Sequence, residues 1–283
     1  MAYSPLEKLN IFINAYGRLF AALFRIGTWS PFLILALFQT AGLVALKDYY
    51  MPGYDQIIYP ILAALLPSSI FHYPQYYLAL PSIYAGYSTF ILGPTVWVVM
   101  SAAAVYKLDG YQGGTKRRLG EAIGRAFRSF FPLLLFWIIH TVIIMSVLTI
   151  LSYLFQSAVL ASPRLKFVFE FVYHLIAFIF SAFLLYTIPA VIISGKGIAG
   201  AIAESLRVCG RNLFLTYFIV AIPGSVGAII DLFISDFTPR IIALFNPGLI
   251  PILLIVGIVL GIFINLFTYG AAVFVYKKIG KNR

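Results

Sequence analysis

Residues 120–139 read GEAIGRAFRSFFPLLLFWII, and residues 203–222 read AESLRVCGRNLFLTYFIVAI. Each stretch passes from a charged amphipathic segment straight into an apolar run of the kind that enters a bilayer. Glu121 and Arg128 are seven residues apart, as are Glu204 and Arg211, with Arg125 and Arg207 between them. Seven residues make two helical turns, so acid and base share one face. Glu121–Arg125 and Glu204–Arg207 fall at ion-pair spacing. Leu119, Ile123, Phe127 and Phe130 form the opposite face of the first helix; Ile198, Ile202, Leu206, Cys209 and Leu213 do so on the second. Such helices lie in the headgroup plane, turning their bases toward anionic lipid or a partner subunit. The bases concerned are Arg117, Arg118, Arg125, Arg128, Arg207 and Arg211. The plainer reading is a solvated face that sets topology.

Composition agrees with a membrane protein. The 283 residues are 62% hydrophobic and 10% charged, with a mean hydropathy of +0.97. A soluble domain carries roughly a quarter charged residues, so this chain lacks the polar groups to cover a water-facing surface. The 26 Phe and 19 Tyr suit bilayer interfaces. A net charge of +11 would raise nucleic-acid binding in a soluble chain. Here the cations set topology and suit anionic lipid, and no nucleic-acid partner is expected. The one cysteine, Cys209, excludes an internal disulfide and, beside an amphipathic helix, is also a palmitoylation position. The opening MAYSPLEKLNIFINAYGRLF has no small-residue cleavage site, so no cleavable signal peptide is expected.

Working outward, residues 4–25 read as a looser first amphipathic segment, with Leu6, Leu9, Ile13, Leu19, Phe20 and Leu23 on the apolar face. Span one covers about 27–46. The connection 47–82 is rich in Tyr and Pro and holds one apolar run, Ile57 to Leu66, too short to cross and therefore re-entrant or interfacial. It reads as a cover over the helix ends, or as a lid or docking surface. Span two covers about 82–106, with a kink at Gly93-Pro94. The second amphipathic segment, 109–128, leads into span three at 130–155. A turn over 156–166 leads to span four at 167–194. The third segment, 197–212, precedes span five at 213–234, kinked at Pro223. Residues 235–249 form a connection, and span six covers 250–275. The expected fold is all-α and integral to the membrane: six transmembrane helices in three hairpins, each preceded by an amphipathic interfacial helix. The repeat-like units are about 4–107, 108–195 and 196–283 of a single membrane domain. Three such hairpins would pack with pseudo-threefold symmetry around a central cavity. Lys and Arg crowd one side of the spans, which places both termini in the cytoplasm and the protein in the cytoplasmic membrane.

The run Tyr186-Thr-Ile-Pro189-Ala-Val-Ile, then Gly197, Ala203-Glu-Ser205-Leu-Arg207 and Arg211-Asn212, resembles a recurring pattern. It is similar to the membrane domain of glycerophosphodiester phosphodiesterases and to the related YciC-type six-span membrane proteins. The passage from Pro94 through Gly110 to Leu119-Gly-Glu-Ala-Ile and Arg128 is similar to the preceding hairpin of that group. The resemblance covers about residues 83–230. It implies a six-helix membrane domain without the phosphodiesterase domain, so the family's catalytic role does not carry over.

Few polar groups fall within the spans. His140 lies in span three, Glu170 and His174 in span four, four residues apart on one face. Adjacent spans could bring the three together. Two imidazoles would then ligate a haem, and two imidazoles with a carboxylate would bind a metal. The plainer reading is a buried histidine bonded to a carbonyl or to Glu170. Gln39, Asp231, Asp236 and Asn265 are the other polar groups, and Asn265 reads as glue between helices. No carboxylate chain crosses the bilayer, and no P-loop, HExxH or GxSxG occurs. Gly257-x-x-x-Gly261, matched by Gly224 and Ala228, reads as a close helix contact within the chain, or else as a homodimer seam. Two functions follow. One is a non-enzymatic subunit or scaffold that packs with other membrane proteins or organises lipid, with no cofactor. The other is a transporter or permease for a lipid or apolar solute, its gating served by kinks at Pro94, Pro189 and Pro223. A haem or metal carrier is a minor third.

Overall fold

The computed structural model describes residues 4–157 and 162–280, which are 86% helical, with no strand among them. Hydrocarbon offers the backbone no hydrogen-bond partner, so a spanning chain satisfies its own peptide groups as helix. Six helical segments are long and apolar enough to cross a membrane: Ile26–Lys47, Gln75–Gln112, Phe130–Leu154, Arg164–Ser194, Leu213–Leu244 and Leu249–Ile279.

A separate helix precedes each odd-numbered span. The first, α1 (Pro5–Leu23), starts on a reciprocal cap: Glu7 N–H donates to Ser4 Oγ at 3.3 Å and Ser4 N–H to Glu7 Oε2 at 2.7 Å. Its buried stripe is Ile11, Ala15, Leu19 and Ala22, which packs on the last helix. Of the expected apolar face, Leu6, Leu9, Ile13 and Phe20 point outward, whereas Leu19 packs inward. Two apolar stripes run along α1, and the sequence does not say which meets the bundle. Burial also pushes the Tyr16 hydroxyl up to about 12.

Span one is α2 (Ile26–Lys47). The Tyr-rich connection folds as α3 (Ile58–Leu65), too short to cross, and a 3₁₀ turn at Ser68–Phe71. There the rings of Tyr49 and Tyr76 meet at 4.4 Å, and Tyr49 donates to the Phe71 carbonyl at 3.1 Å. Span two begins earlier and ends later than its apolar core suggests, running through α4 (Gln75–Gly86), a π-helical stretch (Tyr87–Trp97) and α5 (Val98–Gln112). The wider π turns absorb Pro94, which has no N–H to give. Asp109 therefore belongs to the span and not to the amphipathic segment. It remains helical and buried because two cations neutralise it, as described below.

The second preceding helix is α6 (Leu119–Arg128), followed by α7 (Phe130–Leu154), which buries only Leu133 and Phe136. Span four is broken into α8 (Pro163–Leu184) and α9 (Thr187–Ser194). Ser205, on α10 (Ile198–Arg211), mends the break: its hydroxyl accepts from Tyr186 N–H at 3.0 Å and donates to the Phe183 carbonyl at 2.7 Å. Ser205→Ala would leave a buried donor and a buried acceptor without this partner. The expected cost is about 1–3 kcal/mol, read as a lower melting temperature in detergent with faster amide exchange at Tyr186. Span five, α11 (Leu213–Leu244), continues past its expected end, because Asp236 is matched by Lys166 of α8 at 2.5 Å. Residues 235–244 are thus helix and not connection. Span six is α12 (Leu249–Gly280).

Each span packs on the next, and α12 returns to α2, closing a ring in chain order. This ring needs no threefold relation among the units. Within it α5 is enclosed on every side, its residues from Val98 to Val105 all buried. One core cluster fills the basic end around α5, α9 and α10; a second gathers Leu43, Leu46, Tyr76, Leu80 and Ile250 at the other end. Large apolar side chains such as Phe131, Val142 and Phe214 face outward, more apolar surface than a water-soluble monomer exposes.

Candidate functional site

A cavity of about 660 Å³ lies among the spans, and all six contribute to its wall. Gln39 comes from span one, Ser88 and Thr89 from span two, Met145 from span three and His174 from span four. Span five adds Asp231, Ser235 and Thr238, and span six adds Asn265. Apolar patches from Ile230, Ile234, Leu254 and Ile258 alternate with these groups. The lining is therefore amphipathic, with room for a molecule carrying both polar and apolar parts.

The polar groups are only partly satisfied. Asp231 is open to the cavity. Lys166 is taken by Asp236 at 2.5 Å and Glu170 at 3.8 Å, which leaves Asp231 without an ion pair among the described residues. The Tyr84 and Ser88 hydroxyls approach across one helical turn without reaching hydrogen-bond geometry, and both are buried. His174 Nδ1 lies 2.7 Å from the Glu170 carbonyl. A carbonyl only accepts, so Nδ1 carries a proton, and in the neutral ring Nε2 is the acceptor.

Two glycines expected at a helix seam make this space. A Cβ on Gly261 would meet nothing within 4 Å, and one on Gly257 only Ile230 at 3.9 Å. Gly224, their expected partner, instead seats Phe178 of α8, whose ring would lie 2.8 Å from a Cβ at that position. The tight seams lie elsewhere: Gly42 under the Tyr87 ring, Gly93 under the Trp137 indole and Gly270 under Leu19. Asn265 bonds the Gly261 carbonyl of its own helix at 2.8 Å, so it does not glue one helix to another through that bond.

His140, Glu170 and His174 do not form one site. His140 Nε2 pairs with Ser181 Oγ at 3.3 Å. Ser181 lies seven residues beyond His174 on α8, about 10 Å along the axis. The Glu170 carboxylate faces Lys166, while its carbonyl receives His174. No group of three His, Cys, Asp or Glu side chains able to hold a metal occurs among the described residues. The reason is the distance between turns, which adjacency in sequence conceals.

The basic residues also separate. Arg118, Arg128, Arg207 and Arg211 are exposed. Arg125 is exposed too, and donates to the Ile192 carbonyl near the end of α9 at 3.4 Å. Arg117 turns inward: its guanidinium pairs with Asp109 at 2.6 Å, donates to the Tyr106 carbonyl at 2.8 Å and covers the Tyr106 ring at 3.8 Å. Lys277 of α12 meets the other Asp109 oxygen at 2.7 Å. The two carboxylates that look equivalent in sequence have different partners, Tyr106 for Glu121 and Lys196 for Glu204. Asp109 and Lys277 were not legible as a pair, because 168 residues of chain separate them. No family model, curated protein or solved structure matches the chain.

Proposed function

We propose that this protein is a non-enzymatic membrane permease or carrier that takes an amphipathic, lipid-like solute into the cavity among its six spans. The observation that carries this reading is the cavity itself, walled by every span and lined by unpaired polar groups beside apolar ones. A subunit whose task is only to pack with neighbours has no use for such a space. Asp231 and the free His174 nitrogen favour a solute whose polar end donates hydrogen bonds or carries positive charge. The apolar wall takes its tail. The reading places the protein with its basic end and both termini in the cytoplasm, by the distribution of Lys and Arg, and groups it with the six-span proteins that residues 83–230 resemble.

Gly261→Leu provides the test, since a Cβ at that position meets nothing within 4 Å and Gly261 lines the cavity. The variant should fold like the parent, yet flux of fluorescent amine-bearing and phosphate-bearing lipid analogues in proteoliposomes should fall at least about tenfold. Asp231→Asn should weaken the amine-bearing analogue selectively. Absence of flux for every analogue with the parent protein, or equal flux with Gly261→Leu, removes the proposal.

A further inference from the structure

At the basic end, away from the central cavity, a second cavity of about 470 Å³ opens between the start of α2 and the turn joining α5 to α6. Four of its wall residues are cations, Arg25, Lys107, Lys116 and Arg117, and none is an acid. Arg117 has its counter-ion in Asp109, which it shares with Lys277. The other three have no ion pair among the described residues. Arg25 rests on the Tyr111 ring at 5.2 Å, and Lys116 is exposed. Lys107 is the most demanding of them. It is only 8% exposed, and its ammonium makes one hydrogen bond, to the Arg117 carbonyl at 3.3 Å. An ammonium has three donors, and burial without a counter-ion is costly. The start of α2 faces the same space through Gly27 and Thr28 and adds the positive end of its dipole.

We propose that this cavity binds a phosphate group, as a phospholipid headgroup at the basic face of the membrane or as free phosphate. Three uncompensated cations and a helix start match the charge of a phosphate. The Arg25 fork and the Lys107 and Lys116 ammoniums supply charge-assisted donors to its oxygens. The site stands independently of the proposed solute, because it shares no wall residue with the central cavity.

The test is thermal unfolding of the 283-residue chain in uncharged detergent, with phosphatidic acid, phosphatidylcholine or sodium phosphate against sodium chloride at equal ionic strength. Phosphatidic acid or phosphate should raise the melting temperature, and phosphatidylcholine should act less. Lys107→Met keeps the side-chain shape without the charge, and should weaken the apparent affinity at least about tenfold. Arg25→Gln with Lys116→Gln alters partly open positions, should melt like the parent without ligand, and should weaken binding similarly. Stabilisation by phosphatidic acid alone identifies the lipid as the source; stabilisation by phosphate as well shows that free phosphate suffices. No stabilisation by either overturns the site. So does an equal loss on replacing Arg118 and Arg128 by Gln, because the effect would then belong to the whole basic face.

Discussion

Replacing Asp109 by Ala is expected to destabilise the protein by about 3–5 kcal/mol. Asp109 is 7% exposed, and its carboxylate holds Arg117 at 2.6 Å and Lys277 at 2.7 Å. Removing it leaves two largely buried cations facing each other, where desolvation is no longer offset by attraction. The Lys277 ammonium also bonds the Asp109 carbonyl at 3.1 Å, across 168 residues of chain. The node therefore ties the end of span six to the end of span two. Detergent unfolding of Asp109→Ala should show the full loss. Adding Lys277→Met should recover part of it, since an apolar side chain needs no partner. A melting temperature for Asp109→Ala equal to that of the parent would contradict the proposed role of the node.

Gly42→Val carries the second large effect. A Cβ at position 42 would clash with the Tyr87 ring, and Tyr87 also donates to the Phe38 carbonyl at 3.2 Å. The ring sits on the π-helical stretch of span two, where Gly93 also lies under the Trp137 indole of span three. Span two is thus pressed against span one at Gly42 and against span three at Gly93. A branched side chain must expel the ring or part the helices, at an expected cost of about 1–3 kcal/mol. Gly261→Ala is the internal control: it meets nothing and should be neutral or gain up to about 1 kcal/mol from helix propensity. Parallel melting curves of the two variants in detergent decide the matter, and equal curves would mean that the Tyr87 contact does not restrain the spans.

The contrast between these glycines shows where a one-dimensional reading stops. Gly257-x-x-x-Gly261 has the spacing of a helix seam, yet both residues open onto the cavity. Gly42, Gly93 and Gly270 have no recognisable spacing, yet they take the closest contacts. What separates the two groups is the side chain brought against each glycine by another span. The same holds for His140 and His174. Each falls within a span as expected, but their pairing depends on relative depth, and about 10 Å of helix rise separates His174 from the partner of His140. Boundaries failed for a related reason. Asp109 and Asp236 resemble helix ends in an apolar sequence, and each remains within its span because Arg117 and Lys277, or Lys166, supply the missing charge.

Six spans, an all-helical fold and the clustering of cations at one end were determined by the sequence alone. They follow from local quantities: the length and apolarity of each run, the need of a backbone in hydrocarbon to bond to itself, and the count of Lys and Arg beside each run. The tertiary structure alone decided that residues from all six spans wall one cavity. It also decided that α1 buries its Ile11–Ala15–Leu19 stripe, and that Lys107 is buried without an ion pair in a cavity wall that holds three other cations and no acid. These depend on rotation and depth of one helix against another, and interactions between residues far apart in the chain set both.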